Sequence, residues 1–413
     1  MTTMTRLVAI SSVAILVAAC GTQDAAPDPA SAPTAASTET PVAKPTEQAS
    51  ATPRLALSYD GGVLIVDAKT LDPIADIPMQ GFVRLNSAAN GRHVLVSQSN
   101  GFVALDMGTW TDAHGDHGHH FTAPPEMTDI RFGGAEPGHV VAHGEMLTLF
   151  SDGTGAVDVV DPESLLDGET EVRNVMTTTP HHGVAAARSD GTAVVSVGDE
   201  DARSGVVIVD AAGKEIASNN QCPGLHGEAS AAEGVLTFGC EDGALIVRGN
   251  DIRKVASPDP YGRMGNQAGS DASPVVLADY KADRDAEIER PQRFSLIDTV
   301  TGSVRLVPLD ASYSFRSLDR GPAGEAVILG TDGALHVFDP VTAQQVSRIE
   351  AIAAWTEPDE WQSPMPNLHV QDTVAYVSDP QQRRLVAIDL GTGSTLAETE
   401  LPQPTIELTG VRG

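Results

Sequence analysis

The chain has 413 residues, with 26 Lys and Arg against 56 Asp and Glu and a formal net charge of −30. Nucleic acid and anionic lipid surfaces carry the same sign, so this balance argues against binding either one by charge. It favours solubility and attracts cations, and the length suffices for two ordinary domains or one large repeat domain.

The N-terminus reads as a targeting segment. Met1 to Arg6 carries one positive charge, and Leu7 to Ala19 is apolar but too short to span a membrane as a helix. Leu16-Val17-Ala18-Ala19-Cys20-Gly21 resembles a bacterial lipobox. That resemblance implies cleavage before Cys20 and lipidation of Cys20, so residues 1–20 are a lipoprotein-type signal peptide. The protein is then extracytoplasmic and held to the membrane only by its lipid. Residues 21–53 are rich in Ala, Pro, Thr and Ser, cannot bury a core, and are predicted to be a disordered tether. Residues 54–413 form the folded domain. Its two cysteines, Cys222 and Cys240, read as a disulfide in an exported chain; a two-cysteine metal site is the alternative.

From Arg54 onward a short β-rich run, a Gly/Asp turn and a second β-rich run recur. Examples are ALSYDGGVLIVD ending at Asp67, HVLVSQSNGFVALD at Asp106, AVILGTDGALHVFD at Asp339 and VAYVSDPQQRRLVAID at Asp389. The spacing of roughly 38 to 55 residues is that of a four-stranded propeller blade. Apolar alternation with Asp-Gly turns favours strands, and no helical period appears. The expected fold is all-β: a propeller of eight blades, or alternatively seven. A C-terminal strand near Ile406 to Val411 completes the first blade and closes the ring, removing open sheet edges.

Four of the twelve histidines, His114, His117, His119 and His120, fall within seven residues beside Asp112 and Asp116. Imidazole and carboxylate together suit a borderline divalent cation, Zn²⁺ above all. In a meandering blade, the turn between the second and third strands and the connection to the next blade lie at one end. The segment 114–120, Pro180-His181-His182-Gly183 and Cys222 to Glu228 all read as connections to the next blade, and His143 in VVAHGEM reads as a second-to-third turn. These histidines are therefore expected to converge on one mouth of the channel. The predicted metal set is His143, His181, His182, His226 and Glu228, with His114, Asp116, His117, His119 and His120 as a mobile second set. His139 reads as the start of a strand at the opposite face, kept in play only by its i+4 relation to His143. His369 is a lesser candidate, and His93 and His336 sit within strand patterns, packed or singly exposed.

The His/Asp-rich loop, VVAHGE, PHHGVA, and CPGLHGE followed by FGCEDG together resemble the AztD-type periplasmic zinc metallochaperones. The resemblance runs from about residue 55 to the C-terminus. It implies a β-propeller that is not an enzyme, holds Zn²⁺, and passes it to the solute-binding protein of a zinc ABC transporter. It also implies that His143, His182 and His226 fall in the metal-site region and that 114–120 is the flexible His-rich segment. The lipobox departs from a freely soluble periplasmic protein and implies a tethered donor. A monomer is expected, with no nucleic-acid partner. Two other readings stay open: a propeller hydrolase or lactonase using His226 and Glu228 with a channel metal, and a protein-interaction platform.

Overall fold

The computed structural model describes residues 44–413 apart from Asp116, Glu169 and Thr178. The signal peptide, Cys20 and the tether up to residue 43 lie outside the described residues. Among these the chain is almost entirely β; the helical exceptions are one turn at Ser164–Asp167 and a 3₁₀ turn at Ala232–Gly234. No helix among them is long and apolar enough to cross a membrane.

The strands form successive antiparallel meanders. The second sheet runs Arg84–Ser87, His93–Gln98, Gly101–Asp106 and Glu126–Phe132. The third runs Pro137–His143, Met146–Ser151, Ala156–Val160 and Arg173–Met176. The fourth starts at Ala185–Ala187 and ends at Glu215–Asn219, and the fifth starts at Glu228–Ala231 and continues through Val235–Cys240 and Asp242–Arg248. Three more sheets begin at Gln267, Leu318 and Asn367. In the first sheet Thr405–Val411 pairs with Arg54–Tyr59, Arg54 facing Val411 and Leu57 facing Leu408. The first strands of neighbouring sheets approach one another, the layout of a β-propeller.

Burial follows this layout. Middle strands such as Gly62–Asp67 are buried almost throughout, whereas outermost strands such as Pro73–Pro78 and Thr395–Glu400 alternate toward solvent. A strand covered on both faces needs a continuous apolar run, and a half-covered one alternates. Apolar clusters join neighbouring sheets. Val63, Val94 and Leu105 join the first to the second, and Leu55, Tyr376 and Leu385 join the first to the eighth. The recurring aspartate is a turn device. The Asp67 carboxylate accepts the amides of Lys69 and Thr70, Asp298 those of Val300 and Thr301, and Asp339 those of Val341 and Thr342. These are Asx turns leaving the third strand.

Two expectations about the chain path are corrected. The His-rich segment does not connect one blade to the next. Thr109–His114 and His117–Thr122 form a hairpin inserted between the third and fourth strands of the second sheet. The segment after the hairpin, Glu126–Phe132, is the outermost strand of that sheet. Val140 to His143 belongs to the first strand of the third sheet, so His143-Gly144-Glu145-Met146 is a first-to-second turn. The tether also ends earlier than expected: Thr46–Gln48 is a strand added to the hairpin, with Glu47 opposite Phe121 and Gln48 opposite His120.

Glu407 ties the C-terminal strand to its neighbours. It is 7% exposed; its Oε1 accepts from Arg84 Nε at 3.0 Å and its Oε2 from the Leu85 amide at 2.8 Å. Arg316 Nη2 stands 3.5 Å away. Burial pulls the Arg316 guanidinium down to about 10, and Glu407 opposes that fall. Removing one partner leaves a buried charge uncompensated. Glu407→Gln is therefore expected to lower the unfolding free energy by roughly 3 kcal/mol, read as a lower urea midpoint with an unchanged slope.

Candidate metal centre

Three imidazoles meet at one mouth of the channel. One ligand atom from each of His139, His182 and His226 lies within 4.8 Å of the others, the only such group of three among the described residues. Ring centroids stand 5.2 Å apart for His139 and His182, 5.6 Å for His139 and His226, and 5.1 Å for His182 and His226. They come from three successive sheets. His139 is near the start of the first strand of the third sheet, and His182 and His226 precede the first strands of the fourth and fifth.

Local sequence explains each placement. The Pro137–His143 strand shifts register between Pro137 and Val140, and such a bulge re-aims the side chain it carries, here His139. Gly138 leaves room for the Asp152 carboxylate, which a Cβ there would strike. Gly227, with φ of +74°, turns the chain between His226 and Glu228 where an L side chain would be strained. The strand begins only at Glu228, so His226 and Glu228 are not related by strand alternation. The Cys222–Cys240 disulfide is present, with Cα atoms 4.9 Å apart. It ties the connection carrying His226 to the end of the second strand of the same sheet.

Each of the three rings has its Nδ1 against an oxygen. His182 Nδ1 is 2.6 Å from Asp152 Oδ2, and His139 Nδ1 is 3.3 Å from Glu228 Oε2. His226 Nδ1 donates to the Gly265 carbonyl at 2.7 Å. A carbonyl only accepts, so in neutral His226 the proton is on Nδ1 and the lone pair on Nε2. Carboxylate or carbonyl behind imidazole is the outer support that orients metal-binding histidines and raises their basicity. Burial, more than the neighbouring His139, pulls the His226 pKa well below its ordinary value, which favours the neutral form that can ligate.

The structure separates other residues expected in this set. His181 is buried with both nitrogens engaged: Nδ1 donates to the Thr179 carbonyl at 2.8 Å, and Nε2 lies 2.8 Å from Ser196 Oγ. Phe150 packs edge-on against its ring. His143 closes the first strand at its far end, so it sits at the opposite mouth from His139. Its Nδ1 is 3.2 Å from Ser230 Oγ, and burial lowers its pKa. Glu228 is near the cluster but faces the outer nitrogen of His139. His369 lies in the first strand of the eighth sheet, 3.9 Å from Asp319. His93 and His336 lie in strands and are buried, the packed one of the two alternatives.

The hairpin carries the second set. The pairs His114 with His117 and Asp112 with His119 put these four side chains on one face, and His120, opposite Thr111, falls on the other. Ring centroids are 5.1 Å apart for His117 and His119, 5.7 Å for His114 and His117, and 6.4 Å for His114 and His119. His119 Nδ1 meets Glu47 Oε1 at 2.9 Å, and His120 Nδ1 meets Thr111 Oγ1 at 2.8 Å. Asp116 lies outside the described residues. Thr111 donates to the Gly413 carbonyl, and the Gly413 amide donates to Gly91 in a first-to-second turn. The hairpin therefore sits at the end of the sheets opposite His139, His182 and His226, and the expected single histidine face is divided in two.

No protein-family profile matches the sequence. Among curated proteins the chain is 25% identical over 364 residues to the zinc chaperone AztD of Citrobacter koseri, spanning 85% of this chain and 84% of that one. Its fold is similar to the crystal structure of Citrobacter koseri AztD, with a TM-score of 0.77, 24% identity and coverage of 88% of this chain and 99% of the other. The apo structure of the same protein gives 0.75, 23%, 88% and 98%. The dihydro-heme d1 dehydrogenase NirN, at a TM-score of 0.54 and 14% identity over 87% of this chain and 75% of its own, shares the fold alone. The resemblance to AztD read from the motifs thus holds over most of the chain, and the relative is a chaperone, not an enzyme.

The eighteen-residue separation of Cys222 and Cys240 sets the expected effect of the bridge. Replacing both with alanine is expected to cost about 3 kcal/mol of unfolding free energy. Thermal and urea unfolding would measure that loss, and hydrogen exchange should show faster opening of residues 222–228.

Proposed function

We propose that the protein binds Zn²⁺ through the Nε2 atoms of His139, His182 and His226 and delivers it to the solute-binding protein of a zinc ABC transporter. The ion is cargo. The observation that carries this reading is the triple convergence of imidazoles, each with Nδ1 set against an oxygen acceptor, so that the other nitrogen is free to ligate. The likeness to a zinc chaperone supports the identity of the cargo. Asp152 and Glu228 act as outer supports. The eight sheets are eight blades of a ring closed by Thr405–Val411, a reading supported by the apolar cluster between the first and eighth sheets. The hairpin histidines form a second, weaker set at the other end. Lipidation at Cys20 would keep this monomeric donor at the outer surface of the membrane.

A competitive zinc titration with a chromophoric chelator tests the site. His139→Ala, His182→Ala and His226→Ala are each expected to weaken tight binding more than the roughly 10–100-fold that loss of an outer support costs. Asp152→Asn should fall within that range. His143→Ala and His181→Ala should leave the affinity unchanged, and deletion of 112–120 should remove only a weaker event. Tight binding that survives loss of His139 would place the metal elsewhere. Imidazole must be neutral to ligate, so affinity should fall as pH is lowered from 7.5 to 5.5; a flat profile would exclude histidine ligation.

A further inference from the structure

Three histidine nitrogens leave a tetrahedral Zn²⁺ one ligand short. Asp152 and Glu241 have close partners among the carboxylates around the cluster, whereas Glu228 Oε2 lies near His139 without a hydrogen bond. Asp152 is against His182, and Glu241 pairs with Arg284 at 3.2 Å. Two guanidinium groups at the same mouth are not matched in this way. Arg203 reaches the His182 carbonyl with Nη1 at 3.5 Å, while its Nε is buried and has no hydrogen-bond partner. Arg263 lies against Gly265, whose carbonyl holds His226; a Cβ on Gly265 would come within 3.1 Å of the Arg263 guanidinium carbon. Among the described residues neither arginine has a carboxylate within 4.0 Å. A chain with net charge −30 has no shortage of carboxylates to place beside them.

Part-buried guanidinium groups without a carboxylate in ion-pair contact, beside a histidine cluster, are what an incoming anion needs. They supply charge-assisted donors in a fork that fits a carboxylate. We propose that the mouth of the histidine cluster is a binding site for an external anionic oxygen ligand of the carboxylate class. Arg203 and Arg263 hold this ligand, and it supplies the ligand that three histidines leave missing. The proposal rests on zinc binding at His139, His182 and His226. It extends that reading by making the tight complex ternary: protein, metal and carboxylate. The carboxylate is either a free small anion or a side chain of an acceptor protein, since both present the same chemistry.

Cobalt(II) spectroscopy on the purified protein separates these possibilities. The visible ligand-field bands would be recorded as acetate is added at constant ionic strength set by perchlorate, and again with N-acetyl-aspartic acid amide, which carries its carboxylate as a protein would. The bands are expected to shift saturably. Arg203→Gln and Arg263→Gln should each weaken the carboxylate by about tenfold or more, while cobalt in perchlorate alone still binds at least as tightly as to the parent. Arg263→Lys should restore part of the loss, and far-UV circular dichroism would confirm that the variants fold. Equal binding of the two probes would indicate a free anion, and tighter binding of the aspartyl compound a protein side chain. Cobalt binding with bands indifferent to carboxylate, or arginine variants that bind carboxylate like the parent, would overturn the proposal and leave the metal reading intact. Absence of cobalt binding, or cobalt binding unchanged by His139→Ala, would overturn the metal reading and the proposal together.

Discussion

Antiparallel strand order governs where each functional side chain of this chain falls. In a four-stranded meander the first-to-second and third-to-fourth turns share one end. The second-to-third turn and the connection to the next sheet share the other. His139 at the start of a first strand, His182 and His226 before first strands, and Asp152 in a second-to-third turn all obey the second rule. His143 and the hairpin obey the first. A shift of one strand in the count therefore moves a histidine from one mouth of the channel to the other, just as a one-residue slip moves a side chain across a sheet.

Once parity has gathered the imidazoles, the outer hydrogen bonds decide what they can do. His181 is adjacent in sequence to His182 yet differs from it in kind. Both its nitrogens are satisfied by the protein, and its ring is packed on Phe150. His182 is half-exposed and spends only one nitrogen, on Asp152. Burial of a polar ring is costly unless its hydrogen bonds are complete, so the fully satisfied ring lies inside and the half-satisfied ones gather at the mouth. His226 lies between these cases: buried enough to favour its neutral form, with a single backbone acceptor fixing its tautomer.

Much of this was legible in the residues. The paired β-rich runs, the Asp-Gly turns, the cysteine pair and the segments around His182 and His226 mark strands, turns and loops correctly, because a strand buried on both faces leaves a dense apolar signature. The C-terminal strand beside Arg54–Tyr59 was read from the want of a partner in the first unit. His139 and His143 were exchanged for a specific reason. After Gly101–Asp106 the second sheet still lacks its outermost strand, and the inserted hairpin hides that Glu126–Phe132 supplies it. The available signal was the strand count: a third strand calls for a fourth before the next sheet can begin. Asp152 and Gly265 could not be found from spacing, since their role is set by the bulge at Gly138 and the turn at Gly227. Thr46–Gln48 was hidden by composition, because Thr-Glu-Gln among Ala and Pro residues looks like tether until the hairpin offers it an edge.

Separation of the two histidine sets alters what the proposed metal transfer would require. With the hairpin and the rigid cluster at one mouth, a metal would pass between them by direct ligand exchange. With the hairpin set beside Gly413 and Gly91 at the far end, direct exchange between the two proposed sets within one molecule would have no short path. The hairpin is also linked to the N-terminal segment, because Thr46–Gln48 is its third strand and Glu47 touches His119. A metal drawing on His119 competes with Glu47 for that ring, so occupancy of the hairpin and pairing of the N-terminal strand share one imidazole. Coupling of this kind is reciprocal in free energy: whatever pulls the N-terminal strand away frees His119, and whatever engages His119 loosens the strand.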